Sequence, residues 1–540
     1  MPVLNWIGKE SVVKHDKDVP FRLLKKIKPV SVGEKSENLI IHGDNLEVLK
    51  ALLPYYQEKI SVIYIDPPYN TGTQSWIYND RVDSPKIRQW LKKVVKAEDL
   101  TRHDKWLCMI YPRLKLLKEL LSESGLIFIS IDDNEIHNLR EIMDELFGEA
   151  NFVGQIIVRS NPRGSQEPFG VAAEHEYVLA YSKQPSGRLS IIGEPRDEDD
   201  AEFNYTTNDG SPARLLGLRK RGGDWRRSDR PNMYYPLYVN PDTLTVSLEK
   251  KTGHTVEVYP LRPDGEESRW TWGEATSKKR LSELVGKRIK RGGEETFDVY
   301  RIDPLVDGDG LVKRKKLKSI LEDKALNYQN ARTYFKELFN DPDRFDFPKP
   351  PELIKKLLSS IEGDDYIVLD SFAGSGTTGH AVLDLNKEDG GSRKFIMVEL
   401  EDDVAKDITA ERVKRAIKKY GYKDGFEYCE LDKPLFDEGG QIDESCSFKE
   451  LATYVYFTET QTNIDVGRIS GNFIGDTDST DYYLIYKSKG KNDLTKTLLN
   501  KMKKSDKKRV VYADRCLVDE KLLEEHNTVF KQIPYEIKVF

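Results

Sequence analysis

Cysteine is scarce in this sequence. Four occur in 540 residues, Cys108, Cys429, Cys446 and Cys516, and none forms a CxxC pair. That excludes a zinc knuckle or a disulfide framework and implies reduced thiols, as in a cytoplasm. Neither sign of charge dominates: 85 Lys and Arg stand against 91 Asp and Glu, a net of −6. A globally basic, histone-like binder is excluded, but a local basic face is not. No long hydrophobic run is present. The longest apolar stretch, residues 126–131, is too short to span a bilayer, and the N-terminal sequence lacks an apolar signal core. The expectation is a cytoplasmic chain with no membrane partner. Internal repeats and low-complexity tracts are also lacking.

Material for packed cores is ample. Hydrophobic residues make up 38% and aromatics 10% of the 540 residues, and at about 150 residues per domain the chain holds three or four units. Residues 1–37 are lysine-rich and read as an arm. From 38 to 183 apolar runs alternate with helical spacing. LIIHGD (39–44), VIYID (62–66) and GLIFISID (125–132) read as strands, and residues 104–122 and 133–148 as helices. This alternation predicts an α/β fold with a mostly parallel sheet and helices on both faces. It breaks down over 184–330, a stretch rich in Gly, Pro, Arg and aromatics and long enough to be an inserted domain. It resumes over 331–431 with the helix PPELIKKLLSSI and the strands YIVLD (366–370) and KFIMVEL (394–400). Residues 432–540 form a separate mixed α+β segment.

Two motifs carry chemistry. The first is Asp66-Pro67-Pro68-Tyr69, at the end of a strand. An exocyclic amine on a base is a poor nucleophile, because its lone pair is delocalised into the ring. A carboxylate and a backbone carbonyl accepting its two N–H bonds draw the nitrogen toward a reactive form. Asp66 offers the carboxylate and Pro67 the carbonyl. The two prolines stiffen the turn and remove competing donors. Tyr69 suits stacking on a flipped base. Such a turn also ends strands with no chemistry attached. Its setting within VIYIDPPYNTG favours the chemical reading. Asn70, Thr71 and Gly72, next in line, either shape the base pocket or only terminate the turn.

The second motif runs Asp370, Ser371, Phe372, Ala373, Gly374, Ser375, Gly376, Thr377, Thr378, between a strand and a helix. Its glycines permit a tight bend and close approach to a ligand. The next strand ends at Glu399, a position suited to the ribose hydroxyls of an adenosyl cofactor. No GK[ST] ending follows, which disfavours a nucleotide triphosphate and favours a donor without phosphates, such as S-adenosylmethionine. His42 and His380 have no second ligand at metal spacing, so no metal site is expected.

Together these motifs resemble the amino-methyltransferases of DNA in the permuted order called β, with DPPY first, a target-recognition region next and F-x-G-x-G last. The resemblance extends to FDFPKP (345–350), similar to the segment that covers the methionine part of the cofactor. It extends to IHGDNLEVLKAL, whose Asp44 resembles the acid near the adenine, and to EHEYVLAYSK (174–183). YIDPPYNTG, RPNMYYPLY and DSFAGSGTTGHAVLDLN look most like the modification (Mod) subunit of type III restriction–modification systems. The resemblance implies a Rossmann-like, circularly permuted methyltransferase sheet that uses S-adenosylmethionine and flips adenine out of duplex DNA to methylate N6. It implies cofactor contacts from Asp44, Asp66, Phe347, Pro348, Lys349, residue 370, residues 372–378 and Glu399. Asp rather than Ser at position 66 leans to adenine. Cytosine-N4 transfer, a solitary methyltransferase and a non-catalytic specificity module are the alternatives. Ring-carbon methylation is discounted, since no Pro-Cys pair is present.

The middle region then reads DNA. Arg219, Arg221, Arg226, Arg227, Arg230, Lys278, Lys279 and Arg280 are its candidate contacts, with a solvated basic face as the competing reading. For its tryptophans, core packing is favoured over base stacking. No nuclease or helicase motif is present, so the type III reading requires a separate restriction (Res) subunit. Residues 432–540 are the candidate surface for docking it or for forming a homodimer.

Overall fold

The computed structural model describes residues 3–33, 36–71, 101–164, 170–196, 200–308, 310–341, 344–346, 348–436, 441–503 and 505–533. The chain divides into two compact units, Met1–Ile192 with Leu317–Phe540, and Gly193–Lys316. The inserted unit thus lies within the 184–330 span drawn from composition.

The larger unit opens with β1 (Arg22–Lys26), β2 (Leu39–His42), α1 (Asn45–Tyr56), β3 (Ile60–Ile65), α2 (Arg102–Leu120), β4 (Leu121–Ile131), α3 (Ile136–Phe147), β5 (Phe152–Val158) and β6 (Glu176–Ser182). The inserted unit supplies β7 (Glu194–Pro195), β8 (Tyr205–Thr206), β9 (Pro212–Gly217), β10 (Leu237–Val239), β11 (Val246–Ser247), β12 (Val256–Val258), β13 (Leu284–Arg291), β14 (Glu294–Pro304) and β15 (Arg314–Lys315). The larger unit resumes with β16 (Ile320–Leu321), α4 (Tyr328–Phe339), α5 (Pro351–Ser359), β17 (Ile367–Asp370), α6 (Thr377–Asp389), β18 (Lys394–Glu399), α7 (Glu411–Tyr420) and β19 (Glu427–Pro434). It ends with α8 (Phe448–Thr460), β20 (Phe473–Asp476), β21 (Thr480–Leu484), β22 (Asp493–Leu494), β23 (Lys508–Ala513), β24 (Arg515–Cys516) and β25 (Thr528–Gln532).

One ten-stranded sheet runs β1-β19-β2-β18-β17-β3-β4-β6-β5-β16. From β19 to β4 every neighbouring pair is parallel. Antiparallel pairs join β1 to β19 and β6 to both β4 and β5. The central strands are apolar on both faces, as a parallel sheet covered on two sides requires. Ile41, Ile63, Ile127, Leu369 and Ile396 pack with α1, α2 and α3 on one face. Ile40, Val62, Phe128, Val368 and Phe395 pack with α4, α5, α6 and α7 on the other. β17 pairs with β3, although about 300 residues separate them in sequence, so both motif turns leave one sheet edge side by side.

The described part of the 1–37 segment, residues 3–33 and 36–37, differs from the arm read in the sequence. Trp6, Val12 and Val19 are buried in the first core, and β1 pairs with β19. The lysines hid apolar residues spaced for packing; Lys9 meets Glu145 at 2.6 Å and Lys115 meets Asp16 at 2.5 Å. The C-terminal segment has its own core around Leu451, Val455, Ile474 and Tyr512, shared with Phe21 and Leu23. Its sheet runs β20-β21-β23-β25, and β22 pairs with β24.

The inserted unit is antiparallel, with sheets β11-β10-β12, β13-β14-β9-β8 and β15-β7. Its core holds Leu218, Leu237, Val239, Val299 and the fully buried Trp270, whose Nε1 donates to the Tyr235 carbonyl at 2.8 Å. Among the described residues no helix is long and apolar enough to cross a membrane.

Candidate active site

The proline turn follows β3 directly. Trp106 Nε1, from the buried face of α2, donates to the Pro68 carbonyl at 2.7 Å. Among the described residues nothing donates to the Pro67 carbonyl. Asn70 takes a left-handed φ of 57° and turns the chain away, its amide donating to the buried Glu135 carboxylate. Asn70 therefore holds the turn from behind, and Gly72 lies outside the described residues.

Side chains from distant elements meet at this turn. Tyr69 OH donates to Glu176 Oε2 at 3.0 Å, and Tyr328 OH, from α4, donates to the same oxygen at 2.5 Å. Lys349 Nζ, just ahead of α5, donates to Glu176 Oε2 and to Tyr69 OH, both at 2.5 Å, and lies 3.4 Å from Asp66 Oδ1. Burial pushes the Asp66 carboxyl above its ordinary range, and Glu176 adds to this, while Lys349 opposes it. Burial alone would lower the Lys349 ammonium, but Asp66 and Glu176 outweigh it and hold its pKa well above the usual lysine value. Burial and the same two carboxylates push the Tyr69 hydroxyl well up, so it stays protonated.

The glycine turn follows β17. Asp370 accepts from Phe372 N at 3.0 Å and from the Thr378 hydroxyl. Burial pushes its carboxyl up to about 7, with a contribution from Asp66. Gly374 and Gly376 take φ of 49° and 75°, which favour glycine. A Cβ on Gly376 would sit 2.8 Å from the Thr409 carbonyl, and one on Gly374 would meet the Phe345 ring at 3.3 Å. Thr409 belongs to a single π-helical stretch, Ala405–Ala410, and its hydroxyl donates to the Gly374 carbonyl at 2.6 Å. Such stretches recur at functional sites. The Ser375 and Thr377 hydroxyls face the buried Arg412, at 2.8 and 2.6 Å, and Thr377 also donates to the Lys349 carbonyl at 3.1 Å. Ala373 N donates to the Val398 carbonyl at 3.0 Å. These bonds fix the underside of the turn and tie it to Lys349.

The other expected cofactor residues are already engaged. Glu399 Oε2 accepts from Gly374 N at 2.7 Å, and Oε1 accepts from Leu400 N and Glu401 N at 2.8 and 3.1 Å. Asp44 caps α1, accepting from Leu46 N at 2.9 Å, and stands 3.4 Å from Arg113. Phe347 lies outside the described residues. His380 is buried and stacks on Tyr420, and burial with Arg412 nearby pushes it down to about 3. His42 has Asp402 and Glu430 beside it, one side-chain N or O atom of each lying within 4.8 Å of the others, with Asp402 exposed.

In the inserted unit the expected DNA contacts separate. Arg226, Arg227, Arg230, Lys278, Lys279 and Arg280 are exposed, as is Arg221. Arg227 lies over the Tyr234 ring at 4.2 Å and pairs with Glu267 at 3.0 Å, and Arg280 lies over Trp272 at 4.4 Å. Trp225 sits beside both Arg226 and Arg262, at 5.4 and 4.1 Å. Arg219 is the correction: its side chain is 12% exposed and faces the buried Asp298, so its charge is answered inside the unit. Sequence reasoning missed Glu176, Tyr328, Trp106, Thr409 and Arg412 as site residues. For Glu176 a signal existed, an acid opening an otherwise apolar strand within the EHEYVLAYSK motif.

Set against known proteins, residues 60–411 match the model of the DNA methylase family, which covers both turns. The EcoPI Mod subunit of a type III restriction–modification enzyme, from Escherichia phage P1, is 34% identical over 453 residues, spanning 77% of this chain and 68% of that protein. The type II methyltransferase M.KpnI of Klebsiella pneumoniae is 35% identical over 382 residues, spanning 71% of this chain and 85% of that protein. The EcoP15I Mod subunit of Escherichia coli is 32% identical over 471 residues, spanning 77% and 69%. With two strand-end turns on adjacent parallel strands and a match over most of its length, this chain belongs to the DNA methylase family and is a DNA methyltransferase.

Proposed function

We propose that this methyltransferase acts at specific sites in duplex DNA, on the N6 amino group of adenine, with S-adenosylmethionine as donor, as the modification and specificity subunit of a type III restriction–modification system. The observation that carries it is the acceptor pair at the end of β3. Asp66 sits at the sheet edge with its carboxylate only partly covered, and the Pro67 carbonyl is free of donors among the described residues. Asp66 accepts one amino N–H and Pro67 the other, while Tyr69, held by Glu176, supports the flipped base.

The donor set fits a sulfonium nucleoside. Glu399 and Asp66 stand at the ends of the two strands that flank β17 and favour a cation, and the buried Ser371 Oγ has no partner among the described residues. The Gly374–Gly376 turn, Pro348, the backbone of Lys349 and Glu399 would hold the donor, with Asp44 at its adenine end. Bound there, S-adenosylmethionine supplies an electrophilic methyl group. Asp66 and Pro67 keep the amine lone pair available, and the proton the nitrogen sheds passes to Asp66 Oδ1 or to water.

The division of labour follows: residues 38–183 and 331–431 form the methyltransferase halves, the inserted unit reads DNA, and residues 432–540 dock a second copy or a restriction subunit. Mod relatives at 34% and 32% identity support the type III assignment. Labelled methyl transfer to mixed-sequence DNA, followed by nucleoside analysis, tests the chemistry. N6-methyladenine supports the reading, N4-methylcytosine moves the base, and no product overturns it. Light scattering and pull-down with a restriction subunit test the assembly.

A further inference from the structure

Lys349 lies where the reaction needs something else. Its Nζ stands 3.4 Å from Asp66 Oδ1 and 2.5 Å from Tyr69 OH and Glu176 Oε2, and the side chain is 7% exposed. An exocyclic amine has to bring its N–H donors to that same carboxylate. The ammonium is a chemical likeness of that amine, aimed at the same acceptor. Glu176 offers a place for it to go: Oε2 receives three donors, while the buried Oε1 has no partner among the described residues.

We propose that Lys349 is a positioning residue that keeps Asp66 ionised and aimed until the target amine displaces its N–H onto Glu176. This rests on the reading of Asp66 as the amine acceptor. Among the described residues, the groups facing Asp66 are Tyr64 from β3, Tyr69 from the turn, Glu176 from β6, Asp370 from β17 and Lys349 itself. Lys349 is the cation in that set. Without it, burial and the charge on Glu176 both favour a protonated Asp66, which presents an O–H to the amine and accepts nothing at that oxygen. With it, the ammonium stands against both carboxylates it touches, Asp66 and Glu176, and favours the ionised Asp66 that faces the positive charge developing on the amine. No covalent bond changes in this handover: one N–H···O contact on Asp66 is exchanged for one on Glu176.

The test is single-turnover methyl transfer by the full-length protein across pH 5.5–9, with labelled S-adenosylmethionine and substrate DNA. Lys349→Met should move the acid limb up by about one pH unit or more, falling at least tenfold more at pH 6 than at pH 8.5. Lys349→Arg should restore the limb. Glu176→Gln removes the competing carboxylate, so its limb should move down while its rate falls at every pH. Donor affinity, read by calorimetry, should change less than threefold in each. An unmoved limb in Lys349→Met, or a loss confined to donor binding, overturns the proposal. If Lys349→Met does not fold, an unmoved limb in Glu176→Gln does the same. A wild type that methylates no base sinks the reading of Asp66 itself, whereas an active wild type with unmoved limbs sinks this proposal alone.

Discussion

At the glycine turn, Asp370 finds its partners two and eight residues on, in Phe372 N and Thr378. At the proline turn, Tyr69 reaches Glu176, 107 residues away, and Lys349, 280 residues away. The first turn is set mostly by its own sequence. Its glycines supply the left-handed geometry and Asp370 closes on nearby groups, while the Ser375 and Thr377 hydroxyls reach Arg412 beneath it. The second has a stiff backbone, but the charge on its acid is set by β6, α4 and the segment ahead of α5. A ligand cradle can be encoded locally, since it needs only shape. A reactive carboxylate needs a field, and fields are built from elements that meet only in the folded chain.

The comparison breaks most visibly at Asp66. Asp66→Ala should cut the single-turnover rate by about 10²–10³-fold or more, while donor affinity stays within a few-fold. Equal loss of donor binding would merge the two turns into one function. Asp370→Asn probes the other side through stability. Because burial raises the Asp370 carboxyl from 3.8 to about 7, the folded state keeps a proton that the unfolded chain releases. That contribution is complete below about pH 4 and is lost as pH rises toward 7. The wild type should therefore lose stability relative to Asp370→Asn over that window, by about a few kcal/mol, in urea unfolding at pH 4.5 and 8. A pH-independent difference would show that Asp370 is not held protonated.

Gly374→Val sharpens the comparison at smaller scale. Forcing a branched side chain into φ of 49°, against Phe345, should cost about 1–3 kcal/mol and weaken donor binding tenfold or more, with the acid limb of the rate unmoved. The smallest effect lies outside both turns. Reversing the charge of Arg226 and Arg227 should weaken DNA binding several-fold and reduce the salt slope by roughly one per lost phosphate contact, leaving donor affinity untouched. Unchanged affinity and slope would make them solvated surface.

Much of this was legible in the sequence. The alternation of apolar runs placed β2, β3, β4, β17 and β18, and the two motifs fell at strand ends on one edge. Three things were hidden. The N-terminal residues looked like an arm because lysines dominate the count, while burial depends on the few apolar positions between them, such as Trp6 and Val12. Asp44 and Glu399 also serve backbone N–H groups, a structural role that their candidacy as ligand contacts does not reveal. Lys349 was read with the cofactor segment. Its contact with Asp66 and Glu176 depends on three-dimensional pairing that no local spacing encodes.

The sheet order also sets a timetable for synthesis. β2 has only β18 and β19 as neighbours, and β1 only β19. A ribosome adding about 5–20 residues per second needs roughly 350 further residues after β2, or about 20–70 s, before either neighbour emerges. During that interval the chain carries finished but unpaired strand edges rich in Ile and Leu. Nascent chains stalled before residue 394 should therefore be cleaved readily by added protease in the region of β2, whereas completed chains resist.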